Sequence, residues 1–271
     1  LDLVVRGRRV LLPDGEAPAE VGVADGRVVA VEPLGTGLSG ATTVDLPDDE
    51  VLLPGLVDAH VHVNEPGRTH WEGFATATRA AAAGGVTTIV DMPLNAIPPT
   101  VDVAALAVKR EAAAPQLAVD VAFWGGAVPG NVGDLAGLHA EGVVGVKCFL
   151  LDSGVEEFPA LPPEQLDGHL AEVARLGSLM IVHAEDAGEI DRAPTPSGPA
   201  YDAFLASRPP AAEGVAIAGL LDATRRTGAR THVVHLSAAD ALPLLRAARA
   251  EGLDVSAETC PHYLTLAAED V

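Results

Sequence analysis

The chain has 271 residues, 48% of them hydrophobic, and a formal net charge of −21. So acidic a surface repels phosphate backbones and argues against nucleic-acid binding, and no apolar stretch reaches the ~20 residues of a membrane span. The two cysteines, Cys148 and Cys260, are far apart and read as reduced thiols of a cytoplasmic protein, a disulfide being the alternative.

The opening LDLVVRGRRV carries charges inside its apolar run and has no cleavage site, unlike a signal peptide. It begins three β-rich runs, LDLVVRGRRVLL, EVGVADGRVVAVE and TTVDLP, broken at Pro13-Asp14-Gly15 and Asp25-Gly26. Asp-Gly between Val-rich runs signals a hairpin. Residues 1–52 therefore read as the N-terminal part of a small β-sandwich-like domain.

Beyond it, over 53–271, apolar runs alternate with Ala-rich helical stretches. The runs are VLLPGLVDAHVHV, VTTIVDMP, LAVDVAFWGG, VVGVKCFLL, LMIVHAED, THVVHLS and DVSAETCPHYL. Helical pieces between them stop at Gly84, Gly177, Gly228 and Gly252, a common helix terminator. Near-continuous apolar strands alternating with helices predict a parallel sheet covered on both faces. The fold class is α/β, a (β/α)8 TIM-like barrel of which seven strands are present. LTLAAEDV reads as the start of another loop or helix, so the last strand is expected to lie beyond the sequence.

Barrel active sites lie at the C-terminal ends of the strands. The first strand ends Asp58-Ala59-His60-Val61-His62-Val63-Asn64. Residues two apart share a strand face, so His60 and His62 point the same way and could chelate one metal. Asp58 shares that face and could orient a ligand. His183 follows the fifth apolar run and His235 the sixth, so four imidazoles converge on one rim. His232, three residues before His235, falls on the opposite strand face and reads as structural. His262 could line the pocket or be structural. His70, His139 and His169 lie in a loop or on helices and read as solvent-exposed.

Lys147 stands inside the apolar run of the fourth strand. Desolvation favours its neutral amine, which can combine with carbon dioxide to give an anionic carbamate with two oxygens. Alone, such a lysine reads as ion-paired or snorkelling out of the strand; beside four convergent histidines it reads as the carbamate. Cys148 should point toward the helices.

The set Asp58-x-His60-x-His62, Lys147, His183 and His235 resembles the amidohydrolase superfamily, and within it the cyclic amidases: dihydroorotases, hydantoinases and allantoinases. The loops HVHVNEPGRTHWEGF, DMPLN, KCFL and ETCPHYL are together most similar to the allantoinase group. The resemblance implies a metal-dependent hydrolase of a small cyclic amide. Two divalent ions would be held, most simply zinc, with cobalt, manganese or iron acceptable to the same ligands. His60 and His62 would bind one ion, His183 and His235 the other, and carbamylated Lys147 would bridge them. It also implies a homo-oligomer, a dimer or tetramer. Where dihydroorotases usually carry an arginine for a substrate carboxylate, this chain has Asn64, which supplies hydrogen bonds but no counter-charge. Asn95 resembles a pocket-lining residue, and could equally cap a loop; Ser237 is a further candidate substrate contact. The family pattern ends with a proton-shuttling aspartate on the eighth strand. No residue here fills that role, since Asp254 and Asp270 flank the seventh strand.

Overall fold

A computed structural model of the chain describes residues 1–268, so Asp270 lies outside the described residues. Two compact units are present, Leu1–Leu56 and the remainder from Val57.

The first unit holds β1 (Leu3–Leu12), β2 (Gly15–Ala24), β3 (Arg27–Pro33) and β4 (Thr42–Asp45) in one sheet of order β3-β2-β1-β4. β1 pairs antiparallel with β2 and parallel with β4. Asp25 and Gly26, at φ 50° and 71°, turn β2 into β3, as the Asp-Gly signal predicts. Val10, Ala19 and Val21 form its small core. A single sheet makes this layer; a second, sandwiching sheet is not found in the unit among the described residues.

The second unit follows the strand–helix alternation. Its strands are β5 (Leu56–Val61), β6 (Val86–Asp91), β7 (Asp120–Phe123), β8 (Gly125–Gly126), β9 (Val146–Phe149), β10 (Leu179–His183), β11 (Arg230–Val233) and β12 (Val255–Ala257). The helices are α1 (Phe74–Ala83), α2 (Val103–Ala113), α3 (Leu135–Ala140), α4 (Pro163–Leu176), α5 (Ala187–Arg192), α6 (Tyr201–Ala206), α7 (Pro210–Thr227) and α8 (Leu242–Ala250). Asp102 caps α2 by accepting from Ala105 N, and left-handed Gly177 and Gly228 end α4 and α7. The third apolar run is divided at Trp124: β7 continues the ladder β5-β6-β7, while β8 begins β8-β9-β10-β11-β12. No helix of the described residues is long and apolar enough to cross a membrane.

The period of two along each strand sorts side chains into two layers. Val146, Cys148, Met180, Val182 and Val233 pack with Leu170, Val173, Ile217 and Leu220 of the helices. Phe149, Ile181 and Val234 belong to a separate cluster with Trp124, Val90 and Met92. Cys148 thus packs toward the helices, its thiol 3.7 Å from Met180 Sδ. Lys147, between Val146 and Cys148, is on the other face, and so are His183 and the residues registered with Lys147 across the sheet, Ile181, His232 and Ser256.

Two histidines depart from the sequence reading. His169 on α4 is 2% exposed, its Nδ1 2.9 Å from Gln165 O, because it lies on the helix stripe that also buries Leu166, Leu170 and Val173. His139 on α3 is half-buried rather than exposed.

Candidate metal centre

The strand ends bring His60, His62, His183 and His235 into one continuous row of rings. Centroids of His62 and His60 are 5.6 Å apart, those of His60 and His235 5.5 Å, and those of His235 and His183 4.6 Å. His183 Nδ1 and His235 Nε2 face each other at 3.0 Å. His183 also lies flat on Phe149, 4.6 Å between centroids, which fixes the plane of the imidazole. His235 enters the row from beyond the end of β11 with φ +40°. That left-handed residue resets the strand alternation, so His235 and His232 need not point to opposite sides. His232 comes within 3.5 Å of Glu258, which in turn bonds His60; the face assignment that set His232 apart from the site is corrected accordingly.

Burial sets the protonation of two of the four rings. It pushes His62 and His235 down to about 3, with neighbouring positive groups adding to the effect, Lys147 among them for both. Lys147 is 1% exposed, and burial lowers it to about 8. At pH 7 a lysine of that pKa is neutral about a tenth of the time, against roughly three parts in ten thousand for an unperturbed one. Its Nζ lies 4.8 Å from the centre of the Phe149 ring.

Two carboxylates orient His183 and His60. Glu185 accepts from His183 Nε2 at 2.7 Å and is itself held by Arg208 at 3.1 Å; burial, which would raise its pKa, is outweighed by these partners. Glu258 accepts from His60 Nδ1. Sequence reading passed over both, although Glu185 shares the strand face of His183 and Glu258 opens the ETCPHYL stretch. Asp58 accepts from the backbone N–H of His60 at 3.0 Å and so holds the main chain, not a ring.

Asn95 Nδ2 lies 3.4 Å from His62 Nδ1. Asn64 is buried, with an Oδ1 that has no hydrogen-bond partner. Ser237 gives its hydroxyl to Glu213, near the start of α7. His183, His235 and Ser237 border a cleft walled by Tyr201, Phe204, His262 and Tyr263. His70 is exposed beside Trp71.

Among the described residues, no three His, Cys, Asp or Glu side chains gather closely enough to hold a metal ion by themselves. The donors come as imidazole pairs, each short of an anionic ligand, and Lys147 acts electrostatically on a member of each pair. Once carbamylated it would supply two anionic oxygens. Imidazoles with carboxylate-bound second nitrogens are the donor chemistry of a metal site, so the residues present fit a metal centre that the four histidines and Lys147 would hold.

Above the row, Arg68 donates to Asn95 O at 2.9 Å and to Glu157, with its guanidinium 5.1 Å over Trp71. One side chain thus ties together the loops after β5, β6 and β9. Arg68→Met is expected to speed protease cleavage within these loops about tenfold or more, since a charge-assisted hydrogen bond contributes about 1.5–3 kcal/mol against local opening. Limited proteolysis read by mass spectrometry checks this; an unchanged cleavage rate would remove Arg68 as the clasp.

Parallel strand–helix ladders with histidines and a buried lysine at their C-terminal rim are the α/β arrangement of the TIM-barrel class. The profile of the amidohydrolase family matches residues 51–267, and the chain belongs to that family, for which a binuclear metal centre is implied. It is 58% identical to an allantoinase of Streptomyces avermitilis over 100% of this chain and 61% of that protein. An allantoinase of Saccharomyces cerevisiae is 53% identical over 81% of this chain and 49% of its own. Among solved structures, the L-hydantoinase (dihydropyrimidinase) from Arthrobacter aurescens superposes with a TM-score of 0.93 at 32% identity, covering 99% of this chain and 60% of that one. The chain therefore spans about three fifths of the relatives it matches.

Proposed function

We propose that the protein opens the ring of allantoin by hydrolysis to allantoate, using a pair of divalent ions, most simply zinc. The observation that carries this is the unbroken row of four imidazoles beside a buried, desolvated lysine. When bound, the ions would lower the pKa of water toward neutrality and polarise the ring carbonyl. His60 and His62 would hold one ion and His183 and His235 the other, with Lys147 as the bridging carbamate. Glu185 keeps the proton on His183 Nε2 and leaves the lone pair on Nδ1, the nitrogen that faces His235. In net reaction, the oxygen of water becomes bonded to the amide carbon, the ring C–N bond breaks, and the nitrogen gains a proton. That proton shuttle is not assigned to any described residue.

The names of the Streptomyces and Saccharomyces relatives support allantoin as substrate. The sequence position of Asn64 fits it too, since an amide carries no counter-charge, whereas the carboxylate of a dihydroorotate would call for a cation there. The hydantoinase-like structures make hydantoin the second reading. For the whole protein the same reading expects a homo-oligomer, a dimer or tetramer, and a cytoplasmic setting in which Cys148 and Cys260 stay reduced.

A substrate panel separates these. kcat/KM for allantoin should exceed that for hydantoin and dihydroorotate by about 100-fold or more, the discrimination available when a site built to bond a polar group meets an analogue lacking it. Equal turnover of hydantoin would turn the reading to a hydantoinase. Chelation should abolish activity, and reconstitution with zinc should need bicarbonate. Because only neutral amine is carbamylated, the reconstitution rate at a fixed concentration of dissolved carbon dioxide should rise with pH toward about 8 and flatten above it. Full recovery in carbon-dioxide-free buffer would exclude the carbamate.

A further inference from the structure

Glu258 follows β12, and its main chain is pinned on both sides: its N–H donates to Val233 O at 3.0 Å and its carbonyl accepts from Leu236 N at 2.8 Å. Its side chain meets two imidazoles, His60 through Nδ1 and His232, whose Nε2 is 3.5 Å away. His232 Nδ1 in turn lies 2.8 Å from Ser256 Oγ. Ser256 and His232 are registered partners on adjacent strands, so this arrangement is built into the sheet rather than borrowed from a loop.

An ionised carboxylate can only accept. Both ring nitrogens that face Glu258 must therefore carry hydrogen, which settles the tautomer each ring takes when it is neutral. His232 is the Nε2–H form, with Nδ1 accepting from the Ser256 hydroxyl. His60 is the Nδ1–H form, with its lone pair on Nε2. We infer that Glu258, braced by His232 and Ser256, is a positioning residue that holds His60 in the tautomer whose Nε2 can bind a cation. Its consequence for metal affinity rests on the metal reading proposed above; the tautomer itself does not. An acceptor at Nδ1 also raises the basicity of Nε2, and losing such a partner typically costs 10–100-fold in metal affinity.

The test uses the full chain with 15N-labelled histidine, first metal-free and then titrated with Co2+ followed by visible absorption. In the wild type, the His60 ring should show the Nδ1–H tautomer. Glu258→Ala should give a mixture of tautomers and weaken binding of one Co2+ by 10–100-fold, leaving the other within about threefold. Glu258→Asp, which keeps the charge, should recover most of both signals, a rescue that a merely structural role would not produce. His232→Ala should weaken the same Co2+ by a few-fold. An Nε2–H His60 in the wild type, or a Glu258→Ala protein with unchanged tautomer and affinity, overturns the assignment. A wild type that binds no Co2+ would instead sink the metal reading, while the metal-free spectra still decide the role of Glu258.

Discussion

Lys147→Met is expected to lower ring-opening turnover by at least about 10^4-fold, a loss of about 5 kcal/mol of barrier lowering, and to leave the protein with less than one bound ion. Methionine fills much the same space but cannot form a carbamate, so the fold should survive. Its stability should even rise. Burial lowers the lysine from 10.5 to about 8, so at pH 7 the folded state holds an ammonium that water would solvate better. That difference corresponds to about 3 kcal/mol. The sign follows from linkage. Between pH 8 and 10.5 the unfolded lysine binds more protons than the folded one, so wild-type stability climbs with pH across that window. The advantage of Lys147→Met over metal-free wild type, measured in carbon-dioxide-free buffer, should therefore be constant below pH 8 and vanish toward 10.5. A shorter variant, Lys147→Ala, leaves room for a small carboxylate, and acetate at high concentration should restore part of the metal binding. Wild-type-like turnover in Lys147→Met would end the bridging assignment.

The strands and the rim histidines were legible because both depend on short-range patterns. An apolar run of four to eight residues flanked by helix stops is a strand in a covered parallel sheet, and a spacing of two puts His60 and His62 on one face. The failures mark where that rule stops applying. His232 looked turned away because strict alternation was carried past Val233, where the strand ends and His235 takes φ +40°. His169 looked exposed because a helical histidine is judged by the width of the buried stripe, which packing of α4 against α7 decides. Glu185 stands two residues after His183 but past the end of its strand, and Glu258 carries no periodic signal. Each is a carboxylate just after a strand, like many surface carboxylates, and only the fold reveals that its partner is an imidazole. The division of the third run at Trp124 arises similarly. That residue sends its indole N–H to Ala59 O at 2.9 Å and its backbone N–H to Asp91 O at 2.9 Å, contacts to strands distant in sequence.

Asp91 and Lys109 form the second point of large expected effect. Lys109 Nζ, on α2, lies 2.5 Å from Asp91 Oδ2 at the end of β6, and the two side chains are 1% and 0% exposed. Lys109 also donates to Met92 O at 3.1 Å, while Asp91 Oδ1 accepts from Val63 N at 2.7 Å. The pair thus anchors the residue that follows His62. Removing one partner strands a charge in a dry site, which costs about 3–5 kcal/mol; at about 2–4 °C per kcal/mol for a unit of this size, Lys109→Met should lower Tm by about 10 °C. Asp91→Asn should cost a similar amount by stranding the ammonium, although its amide oxygen can still accept from Val63. The double variant Asp91→Asn/Lys109→Met leaves neither charge. It should therefore be more stable than the sum of the single losses predicts by about 2 kcal/mol or more. Both tryptophans, Trp71 and Trp124, lie in the second unit, so fluorescence-detected urea unfolding reads this unit directly. Simple additivity would mean that the two charges do not stabilise one another. Asp91→Leu separates the remaining role, because it also deprives Val63 N–H of its acceptor. If that bond fixes the end of β5, Asp91→Leu/Lys109→Met should bind metal more weakly than Asp91→Asn/Lys109→Met, with no comparable change in the His183–His235 half of the site.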